Sequence, residues 1–267
     1  MKDLTESELT QFQRFIFQQA GISLPGGKKA LVMGRLGKRV AEHQLASFGD
    51  YYRLLVSGHH PEEVQVAVDL LTTNETYFFR ESKHFDFLRD QALSARNRVQ
   101  PFRVWSAASS SGEEAYSIAM LLDECLASTP WEVLGTDIST HVLRGAARAL
   151  YPMDRARHIP KHYLQKYCLK GTGDYEGHLL VSRTLRSRVK FQHLNLNEDF
   201  PSMGLFDVVF LRNVMIYFND ETKRQVIARI QATLKPGGYL FVGHSESLNN
   251  LDSGMQSVVP AIYHKKP

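Results

Sequence analysis

Phe102-Arg-Val-Trp-Ser-Ala-Ala-Ser-Ser-Ser-Gly-Glu-Glu-Ala-Tyr-Ser-Ile118 decides the fold of this 267-residue chain. Phe102, Val104 and Trp105 form a short apolar run suited to a buried strand, and it ends in small residues. Gly112 permits a tight turn and close backbone approach. Beyond it Ala115, Ile118, Ala119, Leu122 and Leu126 recur at helical spacing. Strand, small-residue turn and amphipathic helix make the first half of a nucleotide-binding crossover unit.

A helix N-terminus in such a unit is an anion- or nucleoside-binding element, yet here it carries two acids, Glu113 and Glu114. Carboxylates repel a pyrophosphate, but they accept hydrogen bonds from ribose hydroxyls and pair with cations. The pattern therefore leans from NAD or ATP towards S-adenosylmethionine, which has no phosphate and carries a sulfonium. Complementing the helix dipole is the alternative role for both acids.

Outward from this stretch, strand and helix alternate as in a doubly wound α/β sheet. Trp131–Thr136 reads as the second strand, running into Asp137, and an acid at that position is where such folds grip ribose. Ser139 can cap the next helix. Val189–Leu194 and Leu205–Leu211 read as further strands, followed by Asn195-Leu196 and Arg212-Asn213. A helix over 220–234 is capped by Asn219, Tyr239–Val242 is the next strand, and a last strand is expected near Val258–His264. Ligands bind outside the carboxyl ends of the strands in such sheets, where Ala107–Gly112, Asp137, Asn195 and Arg212-Asn213 should converge.

Residues 1–72 read instead as helices, with a stop at Gly21 and helices expected at 48–57 and 61–71. Five basic residues and no acid lie between Lys28 and Ala41: Lys28, Lys29, Arg35, Lys38 and Arg39. A basic face of this kind is either a solvated surface or a dock for an acidic partner. The stretch Thr72–Glu81 sets polar side chains beside three aromatics and Arg80, as a pocket wall or an ordinary loop. Residues 151–187 break the rhythm. Tyr167–Leu169 and His178–Val181 could be strands of a small antiparallel insertion, turning at Gly171-Thr-Gly173. Its exposed edge could take an extended peptide, or the insertion is loop elaboration.

Composition excludes several classes. The net charge of +4 is too mild to indicate nucleic acid, and basic residues do not alternate with stacking aromatics. No uninterrupted apolar run is long enough for a membrane span. The polar start, without a signal-peptide apolar region, and two cysteines in no metal or disulfide spacing point to a cytoplasmic protein without a metal.

Asn74-Glu-Thr-Tyr-Phe-Phe-Arg80, Ser111-Gly-Glu-Glu-Ala-Tyr-Ser117, Asp137-Ile138, Arg212-Asn-Val-Met-Ile-Tyr-Phe218 and Gly243-His-Ser-Glu246 together resemble the motifs of the bacterial chemotaxis receptor methyltransferases, the CheR family. The resemblance covers nearly the whole chain. It implies a helical N-terminal domain (1–75, with the basic helix at about 28–43), a linker and helix (76–100), and a Rossmann-like S-adenosylmethionine-dependent methyltransferase domain (101–267). A small antiparallel β-subdomain is inserted at about 166–188. By motif, the cofactor contacts implied are Asn74, Thr76, Arg80, Glu114 (in preference to Glu113), Asp137, Asn195, Leu196, Arg212 and Asn213. Arg80 and Tyr217 would stand nearest the transferred methyl, with S-adenosylhomocysteine as the product.

The implied substrate is a glutamate side chain on the acidic cytoplasmic helices of chemoreceptors. The basic helix with Lys28, Arg35, Lys38 and Arg39 would meet those helices. In some members the β-subdomain also holds a receptor's C-terminal pentapeptide, and the Gly171–Gly173 turn resembles that subgroup. A glutamate carboxyl, with a pKa of about 4.3, is already ionised at neutral pH, so the reaction needs alignment rather than a general base. The competing readings are a non-catalytic module that binds the same ligands and a methyltransferase with another target.

Overall fold

In the computed structural model, which describes residues 3–126 and 128–266, the chain is a bundle of four helices set against the edge of an α/β layer. The helices are α1 (Glu6–Ala20), α2 (Lys29–Glu42), α3 (Phe48–Val56) and α4 (Pro61–Leu71). Local chemistry sets their ends. Thr5 and Glu8 form a reciprocal capping box on α1, whose last carbonyls are closed by Gly21 in the left-handed region (φ 69°). Pro61 occupies the first turn of α4, with Glu62 and Glu63 beside it. The apolar faces meet in one core around Phe12, Ile16, Leu36, Val40, Tyr51 and Val68.

Helix α5 (Lys83–Ser94) leads into the main sheet of β1 (Phe102–Ala107), β2 (Trp131–Asp137), β6 (Val189–His193), β7 (Phe206–Leu211), β8 (Leu234–Val242), β9 (Gln256–Val259) and β10 (Ile262–His264). Helices α6 (Glu113–Leu126), α7 (Thr140–Arg148) and α10 (Asp220–Thr233) supply the crossovers. The order is β6-β2-β1-β7-β8-β10-β9. The first five strands in that row are parallel, and β10 and β9 are antiparallel additions. The single terminal strand expected near Val258–His264 is thus two strands. From β1 the chain goes to β2 on one side and later to β7 on the other, so β1 borders the switch point where such sheets bind ligands. Every residue of β7 is buried, as expected for a strand covered on both faces.

Between α7 and β6 lies a separate antiparallel sheet of β3 (Leu150–Pro152), β4 (Cys168–Lys170) and β5 (His178–Val181), in the order β3-β5-β4, accompanied by α8 (Lys161–Tyr167) and α9 (Arg183–Arg186). Its first strand precedes the expected 166–188 bounds. Three residues ending in proline are too short to show alternation, and β3 exists because it pairs with Leu179 and Leu180 of β5. Gly171 is required at the β4–β5 turn, since a Cβ there would lie 1.9 Å from the Tyr175 carbonyl oxygen.

The helical bundle is fastened over the carboxyl ends of the strands. Asp69 on α4 accepts from Thr140 N (3.0 Å), Thr140 Oγ1 (3.0 Å) and His141 N (3.2 Å) at the start of α7. Gln65 donates to the Ile138 carbonyl (2.9 Å), and Ser23 N donates to the Tyr217 carbonyl (2.7 Å). Asn195 Nδ2 donates to the Gln19 carbonyl at 2.7 Å. Among the described residues no helix is long and apolar enough to cross a membrane.

Candidate cofactor and substrate site

A cleft of about 350 Å³ opens between the bundle and the sheet's carboxyl edge, within the size range of small-molecule sites. Asn74, Thr76, Arg80, Glu114, Asp137, Asn195, Leu196, Arg212, Asn213 and Tyr217 all line it. The structure brings together every residue expected at the cofactor and the methyl.

Each wall is held by identifiable bonds. The 72–81 segment is braced from both sides: Ser110 Oγ donates to the Asn74 carbonyl (2.8 Å), and Phe79 N donates to Ser117 Oγ (3.0 Å). Arg155, from the turn after β3, donates to the Thr76 carbonyl at 2.7 Å. The β1–α6 loop has no glycine-rich phosphate cradle; Ala108 (φ 65°) and Ser110 (φ 50°) occupy the left-handed region there. Such backbone persists only where its surroundings fix it, and Asp137 does so by accepting from Ser110 N (2.8 Å) and Ser139 N (2.9 Å). Asp137 thereby sits where an acid can take ribose hydroxyls. Burial pushes its carboxyl up, against those two amides.

The opposite wall is an ion network. Arg212, 5% exposed, reaches Glu114 Oε2 (3.0 Å) and Glu81 Oε2 (3.0 Å) and donates to the Arg80 carbonyl. Ser106 donates to Glu114 at 2.6 Å. Burial raises the Glu114 carboxyl, with Arg212 and Ser106 opposing. Glu81 is also desolvated, but Arg212, the His244 amide and Asn213 outweigh that and hold it below the usual range. Of the paired acids, Glu114 faces the cleft, whereas Glu113 is buried against Ser111 (2.6 Å) and Arg155 (3.2 Å).

Two acids in this region were not singled out from sequence. Glu81 follows the Arg80 motif directly, and only its approach to Arg212 across the fold shows its part. Glu246 stands in the Gly243–Glu246 motif. Its buried carboxylate accepts from Gly243 N (2.6 Å), Asn213 N (2.7 Å) and Ile216 N (3.3 Å). It therefore pins Asn213, itself left-handed at φ 57°, and the turn that carries Tyr217. Its place past the carboxyl end of another parallel strand was a usable signal. A Cβ at Gly243 would come within 2.4 Å of Asn213 Nδ2, so glycine is needed there.

The basic helix differs from the expected free surface. Lys28 and Lys38 are exposed. Arg35, however, donates to the Leu71 and Thr72 carbonyls (both 2.9 Å) and to Thr73 Oγ1 (3.2 Å), bracing the linker. Arg39 is committed to Glu63 (2.8 Å through Nε) and Glu42, with Tyr51 and His43 completing the network. Packing against α4 and the linker thus occupies both arginines and leaves Lys28 and Lys38 as the exposed part of the basic face. Gly171 and Gly173 lie in the exposed β4–β5 turn, away from the cleft, with Leu169 and Tyr175 each 58% exposed nearby.

The donor set fits S-adenosylmethionine: an acid for the ribose at the end of β2, a second acid on α6, and backbone and amide groups in place of a phosphate cradle. A sheet of this topology with this cleft defines the S-adenosylmethionine-dependent methyltransferase class. Residues 74–262 match the family model described as CheR methyltransferase, SAM binding domain, and residues 7–72 match CheR methyltransferase, all-alpha domain. The chain is 41% identical over 252 residues to the chemotaxis protein methyltransferase of Escherichia coli strain K12, covering 93% of this chain and 87% of that one. It is 39% identical over 262 residues to chemotaxis protein methyltransferase 2 of Pseudomonas aeruginosa, covering 97% and 93%. The chain belongs to the CheR family. It is an enzyme that uses S-adenosylmethionine to methylate glutamate side chains of chemoreceptors in chemotaxis.

Proposed function

We propose that the cleft holds the donor and admits the receptor carboxylate, with Asp137 at the ribose, Glu114, Arg212 and Asn213 along the same wall, and Asn74, Thr76, Asn195 and Leu196 closing the remainder. The observation that carries this is the convergence of four strand ends and the 72–81 segment on one cavity. When bound, S-adenosylmethionine supplies a methyl group on a positively charged sulfonium. The residues supply placement. Tyr217, whose carbonyl accepts from Ser23 N and whose neighbour Ile216 is held by Glu246, orients the incoming carboxylate, and Arg80, tethered to the Glu75 carbonyl at 3.0 Å, sets the methyl-bearing end. Pairing Arg80 tightly with the nucleophile would blunt its attack, so its main part is positioning. No general base is needed for an ionised carboxylate.

Lys28 and Lys38 present the charge that meets the acidic receptor helices, while Arg35 and Arg39 shape the helix that displays them. The β4 edge and its glycine turn are the surface for a receptor's C-terminal pentapeptide, which titration with such peptides tests. A cytoplasmic location belongs to the same reading.

Transfer of a radiolabelled methyl group to receptor fragments tests the whole assignment. In Tyr217→Phe, turnover should fall by about tenfold or more, as expected for losing one positioning contact, with the affinity for S-adenosylhomocysteine preserved. Equal turnover in wild type and variant rejects the role of Tyr217.

A further inference from the structure

Three side chains next to the Arg212 network, none of them lining the cleft, bring metal-binding atoms together. Glu81, His84 and His244 each offer one ligand atom, all within 4.8 Å of one another. His84 is 1% exposed, and neither ring nitrogen has a hydrogen-bond partner among the described residues. A buried imidazole left this way is uncommon, because burying a polar group without a partner is costly. Its Nδ1 lies 3.4 Å from Glu81 Oε2, its ring is 5.0 Å from that of His244, and Phe241 packs against it at 5.5 Å. His244 Nε2 lies 3.9 Å from the same Glu81 oxygen, and its side chain is 52% exposed, which opens the group to solvent.

These separations suit a small tetrahedral ion. Zinc bonds of about 2.0–2.1 Å set neighbouring ligand atoms about 3.4 Å apart. The His84–Glu81 distance is already of that size. The widest separation must shrink by at most about 1.4 Å, within reach of a rotation of the exposed His244. Two imidazoles, one carboxylate and a position open to water form a donor set of the zinc type.

We propose that Glu81, His84 and His244 form a binding site for a divalent transition-metal ion of the zinc type, and that its occupancy weakens cofactor binding. The coupling follows from shared atoms. Glu81 Oε2 is the oxygen that Arg212 holds at 3.0 Å, and Glu81 Oε1 accepts from Asn213 Nδ2 and His244 N, both at 3.3 Å. An ion on Glu81 competes with the guanidinium for the same carboxylate and repels it. Arg212 and the left-handed Asn213 then each lose one of the bonds that hold them on the cleft wall. Cofactor binding must weaken the ion's affinity by the same factor. The inhibitory half rests on the cofactor reading of the cleft, whereas ion binding does not.

The test is calorimetric titration of the full chain with Zn²⁺, with Co²⁺ absorption as a second readout. One Zn²⁺ per chain is expected. His244→Ala and His244→Asn should weaken it by at least the roughly 10–100-fold that even outer-shell partners of a metal command. Saturating Zn²⁺ should lower the affinity of the wild type for S-adenosylhomocysteine and leave that of His244→Ala where it was. No bound ion, or equal binding in both variants and wild type, overturns the site. Bound Zn²⁺ with unchanged S-adenosylhomocysteine affinity overturns the coupling. Failure of S-adenosylhomocysteine to bind in the presence of a chelator counts instead against the cofactor reading.

Discussion

Arg39 in the helical bundle and Arg212 at the end of β7 are both clasped between two glutamates, yet they sit in different surroundings. Arg39 joins Glu42 and Glu63, and the cage is closed by Tyr51 and His43. Arg212 joins Glu81 and Glu114, but Glu114 and Arg212 itself also border the cleft. In the closed cage the Glu63 carboxylate is spent on partners inside the bundle, so the network fixes how α2, α3 and α4 pack. In the open one, one side is left for a ligand. The same pairing of charges thus serves architecture in one place and recognition in the other.

That contrast can be broken by experiment. Arg39→Ala leaves Glu63 buried without its cation, and losing one partner of a buried pair costs about 3–5 kcal/mol of unfolding free energy. Denaturant unfolding should show that loss, with S-adenosylhomocysteine affinity retained. In Arg212→Gln the abandoned Glu114 carboxylate can recover water from the cleft, and Glu81 keeps its bonds from Asn213 and His244 N, so the loss of stability should be smaller than for Arg39→Ala. S-adenosylhomocysteine affinity should instead fall by about 10–100-fold, the worth of a charge-assisted hydrogen bond. Equal patterns in the two variants would dissolve the distinction.

Acid separates the networks further. Glu63 is desolvated, but Arg39, Tyr51 and His43 prevail and hold it at about 2. Its contribution to stability is therefore present in full above its unfolded value near 4.5 and is lost progressively as pH falls from there through about 2. Burial shifts Asp137 and Glu114 the opposite way. Both take up protons above their unfolded values, and their ionised forms are a cost to folding that acid relieves. Cofactor affinity should therefore drop on acidification before the helical bundle loosens, as calorimetry alongside helical circular dichroism would reveal. The smallest effect concerns the exposed Lys38 on the docking helix. Lys38→Glu should slow receptor methylation by a few-fold at low salt, within the ~0.2–1 kcal/mol of an exposed pair, and the difference should fade as salt rises. No change at any ionic strength would remove Lys38 from the receptor contact.

Elements with local causes are legible along the chain. Gly21 ends α1, Pro61 starts α4, and Ser139 and Asn219 cap α7 and α10 through Val142 N (3.4 Å) and Thr222 N (2.8 Å). The site is legible where it lies at strand ends, since strand direction alone carries Asp137, Asn195 and Arg212 to the same edge. What escapes a reading of the sequence depends on partners distant in the chain. Strand β3 exists through β5, the part of Glu81 appears only in contact with Arg212 and Asn213, and the orientation of Arg35 and Arg39 is set by the linker and by α4.

By itself the sequence determined the alternation of strands and helices, the acid at the end of β2, and a set of motifs dense enough to name a family. Periodicity, capping and turn chemistry act over a few residues, so they can be read residue by residue. Only the tertiary structure decided which charges are spent in the interior and which face the cleft. That depends on desolvation and on partners dozens of residues away, and neither is encoded in local spacing.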